Sequence, residues 1–219
     1  MLRCVQRGGN MVRRGEHLFP KLAWCSFVLA ASLLLFSPAV RATSPGPTDV
    51  IRQFYAELQN VMQHATTLGA RGRYQTLEPI VRRMFDVPYM ARLSIGPTWA
   101  KLATDQKRRA SQAYGRYITA LYATRFDGYN GERFEIFGEQ PIRHGTMVKT
   151  RIVKSNGEPV AINFIMHDND VAWQVRDLYL DSAISELATR RSEFAQVLRT
   201  SGIDALIDSL NKKADELQI

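Results

Sequence analysis

At Glu132 the apolar residues stop recurring every three or four positions and begin to alternate, and this change of period constrains the fold more than any other feature of the chain. Before it, a chain can bury one stripe of a helix; after it, one face of a strand. The alternation predicts four strands, at Phe134–Phe137, Met147–Val153, Val160–His167 and Ala172–Leu178. Asn156-Gly157 between the second and third suits a tight type I′ turn, and Asp168-Asn169-Asp170 can turn between the third and fourth. Val148, Thr150 and Ile152, then Val160, Ile162, Phe164 and Met166, then Trp173 and Val175, fall on one face. Lys149, Arg151, Asn163, Gln174 and Arg176 fall on the other, which should meet water.

Helical patterns flank the strands on both sides. Ile51, Phe54, Tyr55, Leu58, Val61 and Met62 predict a first helix, broken over Gly69 to Arg73. Leu77, Ile80, Val81, Met84 and Phe85 predict a second, and Tyr89 to Ile95 a short third closed by Gly96-Pro97. Thr104 reads as the N-cap of a long helix with an aromatic stripe, Ala110, Ala113, Tyr114, Tyr117, Ile118, Leu121 and Tyr122. Two more helices follow the strands, parted at Ser201-Gly202. Helices, then an antiparallel meander, then helices make an α+β fold: a curved four-stranded antiparallel sheet packed by N- and C-terminal helices, cone-like, with an apolar pocket.

The N-terminus is set apart by composition. Arg3, Arg7, Arg13, Arg14 and Lys21 precede an apolar run from Leu22 to Phe36, and Val40 and Ala42 occupy the small-residue positions of a cleavage site. Residues 1–42 are therefore expected to be a secretory signal peptide, with Met11 as an alternative start, followed by a linker at 43–46 and one domain at 47–217. The apolar run is shorter than the roughly 20 residues that span a bilayer. These 42 residues hold six of the basic residues and one acid, so their removal lowers the net charge from +8 to +3. No basic face with interleaved aromatics remains to bind nucleic acid. Both cysteines, Cys4 and Cys25, lie in the leader, so the mature chain can use neither thiol catalysis nor a disulfide.

Signatures of catalysis and of cofactor binding are missing: there is no G-x-S-x-G, H-E-x-x-H, P-loop or dinucleotide-binding glycine pattern. His64, His144 and His167 have no metal-ligand spacing, and Asp86, Asp127, Asp168, Asp170 and Asp181 sit where turns and helix boundaries want them. A cone of sheet and helices also serves small isomerases and dehydratases, which use an interior acid or base. Asp177, in the same alternation as Trp173 and Val175, is the candidate for that alternative. What the chain does have is an excess of large, soft apolar residues. On the helices the candidate pocket residues are Val81, Met84, Phe85, Tyr89, Met90, Leu93, Trp99, Tyr117 and Leu121. On the strands they are Phe134, Ile136, Val148, Ile152, Ile162, Phe164, Trp173 and Val175. From periodicity, these could fill a core or wall a hollow one.

Two stretches resemble a known family. One runs from Phe85-Asp86-Val87-Pro88-Tyr89-Met90-Ala91 through Trp99 to Arg125-Phe126-Asp127-Gly128-Tyr129; the other joins Trp173-Gln174-Val175-Arg176-Asp177 to Ser192-Glu193-Phe194 and Leu198 to Leu206. They are similar to the MlaC, or toluene-tolerance, periplasmic phospholipid-binding proteins, auxiliary components of an ABC transporter. The resemblance implies a non-enzymatic periplasmic carrier without a cofactor, whose pocket between sheet and helices holds acyl chains. It implies two partners, an inner-membrane ABC transporter with an MCE-domain subunit and an outer-membrane lipoprotein–porin complex. An adaptor of that machinery that binds no lipid is a further alternative. After the last strand, Asp181-Ser182-Ala183-Ile184-Ser185 departs from the family pattern, being one residue longer and lacking its glycine. That variant, together with Arg125-Phe126-Asp127-Gly128-Tyr129-Asn130-Gly131-Glu132, resembles the hopanoid-associated HpnM branch, which would make a hopanoid the cargo in place of a phospholipid.

Overall fold

The computed structural model describes residues 45–181 and 183–218. The expected signal peptide and residues 43 and 44 of the expected linker lie outside them.

Helix α1 (Pro47–Gln63) starts with a proline in its first turn and buries Ile51, Phe54, Tyr55, Leu58, Val61 and Met62, the stripe read from the sequence, together with Val50. The expected break at 69–73 narrows to Gly69, whose φ of 62° and ψ of 179° kink α2 (Ala65–Met84), and an earlier interruption that was not expected parts α1 from α2 at His64. Residues 70–73 are helical. Arg73 Nε donates to the Ala123 carbonyl at 2.7 Å, satisfying an acceptor in the last turn of α4 (Thr104–Arg125).

Between α2 and α4 lies α3 (Val87–Ile95), capped by the Asp86 carboxylate, which accepts from Tyr89 N at 3.2 Å. A 3-10 turn, Gly96–Lys101, follows. The expected cap of α4 is corrected by one residue: Ala103 is the N-cap and Thr104 already lies inside the helix. Ala103 lacks a capping side chain, and Gln106 Oε1 instead reaches back to Ala103 N at 3.2 Å.

The sheet is an antiparallel meander in chain order: β1 (Arg133–Ile142), β2 (Gly145–Val153), β3 (Pro159–Asp168), β4 (Trp173–Leu180) and β5 (Ile184–Ser185). The fifth strand, two residues long, was not expected. The β2–β3 connection also differs from the expected type I′ turn. Gly157 N bonds the Lys154 carbonyl at 2.9 Å, and only Gly157, with φ of 87°, is left-handed. This is a three-residue loop with a glycine bulge, which lets Asn156 keep ordinary dihedrals. At the other end of β2, a Cβ on Gly145 would lie 2.0 Å from the Met166 carbonyl oxygen, so only glycine lets β2 and β3 meet there.

Two bulges shape the sheet. In β1 the register slips at Phe137, which stands 58% exposed. In β4 it slips at Arg176: Met166 pairs with Val175, while Ile165 pairs with Asp177 and Phe164 with Leu178. Beyond this bulge the inward residues are Leu178 and Leu180, not Asp177. The outer face is also less wet than expected. Asn163 is buried, and Arg176 bonds Asp86 Oδ2 at 2.9 Å and lies 4.3 Å over the Tyr89 ring. These contacts form because Phe85 and Asp86 run beside the edge of β4, where Asp86 N bonds the Val175 carbonyl.

The sheet packs on α1, α2, α3 and α5 (Glu186–Thr200), with α4 across the cavity from it and α6 (Gly202–Glu216) against α4. No helix of the described residues is long and apolar enough to cross a membrane.

Candidate functional site

Phe54, Tyr55 and Leu58 of α1 face Tyr114, Ile118, Leu121 and Tyr122 of α4 across a gap floored by Ile152, Ile162, Phe164, Leu178 and Leu180 of the sheet. These residues, with Phe85, Met90 and Phe126, enclose a cavity of about 180 Å³ between sheet and helices. The aromatic rings set its walls: Phe54 meets Phe85 edge-on at 5.2 Å and Tyr122 at 5.5 Å. Burial pushes the phenols of Tyr55, Tyr114 and Tyr122 up, so they stay protonated and the lining tyrosines carry no charge. Tyr55 donates to Thr150 Oγ1, which donates in turn to the Ile162 carbonyl. Tyr114 is close to Ser94, but both buried hydroxyls lack a hydrogen-bond partner of good geometry. A dry cavity of this size takes a benzene-sized guest, and pockets for whole small molecules run from about 300 Å³.

The structure scatters the seventeen residues nominated from sequence. Phe85, Met90, Leu121, Ile152, Ile162 and Phe164 line the cavity. Val81 and Phe85 line a second, more open groove of about 900 Å³ between α2 and α4, with mixed polar walls that include Tyr74, Gln112 and Arg116. Met84, Val148 and Val175 are solid core, and Tyr117 is buried with its hydroxyl 3.2 Å from Arg190. Trp99, Phe134, Ile136 and Trp173 pack half-buried against the core's margin. Tyr89 lies under Arg176, and Leu93 is 37% exposed. Sequence reasoning left Phe54, Tyr55, Leu58, Tyr114, Ile118, Tyr122 and Phe126 off that list, although the stripes of α1 and α4 contain six of them. Leu178 and Leu180 gave no such signal, because the bulge at Arg176 inverts their side.

Asp177 does not face the cavity. Its carboxylate accepts from Leu178 N at 2.8 Å, Leu187 N at 3.2 Å and Ser185 Oγ at 2.7 Å, which ties β4 to the first turn of α5. Burial nevertheless raises its pKa, with those three hydrogen bonds opposing. A raised carboxyl pKa favours folding in acid, and that contribution is lost as pH rises through the folded value. The stability of the wild type relative to Asp177→Asn should therefore be greatest at low pH and decline across the mildly acidic range. Denaturant titrations at a series of pH values check this, and a difference that grows with pH would contradict it.

Charge reaches the cavity at two residues, Arg125 and Glu186. Glu186 Oε1 accepts from Arg190 Nε at 2.9 Å and Nη2 at 2.6 Å. Burial works against the Arg190 charge, but Glu186 outweighs it, and the arginine's pKa is raised. Arg125 ends α4 with its side chain exposed. Among the described residues no cluster of His, Cys, Asp and Glu could hold a metal ion.

The family model of the MlaC protein matches residues 52–212, which includes every cavity-lining residue. The chain belongs to the MlaC family. Its relatives include the intermembrane phospholipid transport system binding protein MlaC of Haemophilus influenzae, 22% identical over 202 residues, covering 87% of this chain and 91% of that protein. Among solved structures, the phospholipid-binding protein from Ralstonia solanacearum, in complex with a phospholipid, superposes with a TM-score of 0.70 at 14% identity. That match covers 80% of this chain and all of the other, and it identifies the same α+β fold. In this MlaC-family fold the cavity lies between the helical layer and the inner face of the meander.

Proposed function

We propose that this protein is a periplasmic phospholipid carrier that encloses acyl chain between its sheet and helices and releases it to membrane-bound partners. The observation that carries the reading is the apolar cavity at the sheet–helix interface of an MlaC-family chain. A relative is named for phospholipid transport, and a protein of the same fold was crystallised with a phospholipid. Each buried methylene is worth about 0.8 kcal/mol, so a carrier competes with a membrane only if it covers most of a chain. The 180 Å³ void holds part of one. The walls therefore part on loading, α1 and α4 moving off the sheet at the edge-on contacts of Phe54.

The leader delivers the chain to the periplasm and is cleaved after Ala42. Transfer runs between an inner-membrane ABC transporter with an MCE-domain subunit, which supplies ATP hydrolysis, and an outer-membrane lipoprotein–porin complex. The test is native mass spectrometry of protein released from the periplasm of a double-membraned bacterium by osmotic shock. The expected result is a chain beginning at Thr43 with a phospholipid bound. A polycyclic hopanoid in its place would reassign the cargo. Protein that carries no lipid, and after delipidation takes none from phosphatidylglycerol vesicles, would overturn the carrier reading in favour of an adaptor.

A further inference from the structure

Of the two charged residues on the cavity wall, one is already committed. Glu186 is held by two hydrogen bonds to Arg190, and its side chain is only 13% exposed. Arg125 has no carboxylate within ion-pair distance among the described residues, and its side chain opens to solvent. It stands on the same face of α4 as Ile118, Leu121 and Tyr122, seven, four and three residues before it, all of which line the cavity. The long stem of an arginine in that position lies along apolar wall while the guanidinium reaches water. A cation at the C-terminal end of a helix also interacts favourably with the helix dipole, a role that lysine would fill as well. What lysine would not reproduce is the planar fork that takes two oxygens of a phosphate at once.

We propose that Arg125 reads the lipid's headgroup: it binds the phosphate next to the glycerol while the acyl chain occupies the cavity, so the carrier selects phosphate-bearing lipids over uncharged ones of equal apolar bulk. The inference rests on the carrier reading and adds the residue that recognises the phosphate. A charge-assisted hydrogen bond at a partly solvated rim supports a preference of about tenfold.

The experiment presents delipidated protein with vesicles containing equal amounts of dioleoyl phosphatidylglycerol and dioleoylglycerol, which carry the same two chains with and without phosphate, and counts bound species by native mass spectrometry. The wild type is expected to favour the phosphatidylglycerol by about tenfold, and Arg125→Gln to reduce that ratio to about one or two. Arg125→Lys is expected to fall between them, because it keeps the charge and loses the fork. Thermal melting of each variant confirms that the exposed substitution leaves the fold in place.

An unchanged ratio in Arg125→Gln, or a wild type indifferent to phosphate, would overturn the headgroup assignment and leave the carrier standing. A wild type that takes up neither lipid would overturn both. Inorganic phosphate alone is expected to leave the melting temperature of the wild type unchanged. A rise that disappears in Arg125→Gln would assign the residue to a free anion and not to a headgroup.

Discussion

Leu121→Trp is expected to lower the lipid recovered with the protein by about tenfold or more while moving the melting temperature by only a few degrees, whereas Val148→Trp is expected to lower the melting temperature by about 10 °C. From sequence the two substitutions look equivalent, since both place an indole on an inward-facing apolar position. The structure separates them. Leu121 is half-buried on the wall of a 180 Å³ void, so an indole there has space to enter and occupies the volume that acyl chain would take. Val148 is fully buried, faces Phe164 across the β2–β3 pair and lines neither the cavity nor the α2–α4 groove. Forcing extra atoms into close-packed core costs about 1 to 3 kcal/mol, and more where backbone must move, as it must for this pair of strands. In a domain of this size each kcal/mol is a loss of roughly 2 to 4 °C, and the cost here lies at the upper end or beyond it. Native mass spectrometry reads the first effect and thermal melting the second. Full lipid occupancy in Leu121→Trp would mean that cargo is held elsewhere, with the α2–α4 groove the next place to look.

These two substitutions mark how far sequence reasoning reaches. The change of period at Glu132 places all four long strands, because burying one face of a strand and one stripe of a helix demand different spacings. The α1 and α4 stripes likewise name most of the helical wall. Period alone does not say which inward residue borders a void and which is clamped by its neighbours. Val148 and Ile152 have the same parity on one strand, yet only Ile152 reaches the cavity. Nor does it reveal a bulge. One extra residue at Arg176 turns Asp177 outward to cap α5 and brings Leu178 and Leu180 in, reversing the parity from which an interior acid was inferred. The ion pair at the cavity's edge was hidden for another reason. Glu186 and Arg190 stand four apart on a helix, the spacing of an ordinary solvated pair, and only tertiary packing reduces the arginine's side chain to 7% exposure.

That burial gives Arg190 an effect out of proportion to its place in the sequence. Its guanidinium bonds Glu186 twice, Glu193 at 2.5 Å and the Tyr117 hydroxyl at 3.2 Å, joining α5 to α4 beside the cavity. The pair with Glu193 is half-exposed and screened, so it adds little. The pair with Glu186 is not. Arg190→Ala leaves a carboxylate on the wall of an apolar cavity with no counter-charge, and removing one partner of a buried pair typically costs about 3 to 5 kcal/mol. The expected result is a melting temperature about 10 °C lower. The double variant Arg190→Met with Glu186→Gln removes the stranded charge and is expected to recover most of that loss, because a buried ion pair and an apolar replacement of similar size come out nearly even. Equal destabilisation in the single and double variants would show that the arginine acts by filling space and not by neutralising Glu186. Recovery in the double variant would show that the cavity wall tolerates no net negative charge, the condition under which an unpaired Arg125 at the same wall is free to meet an anionic lipid.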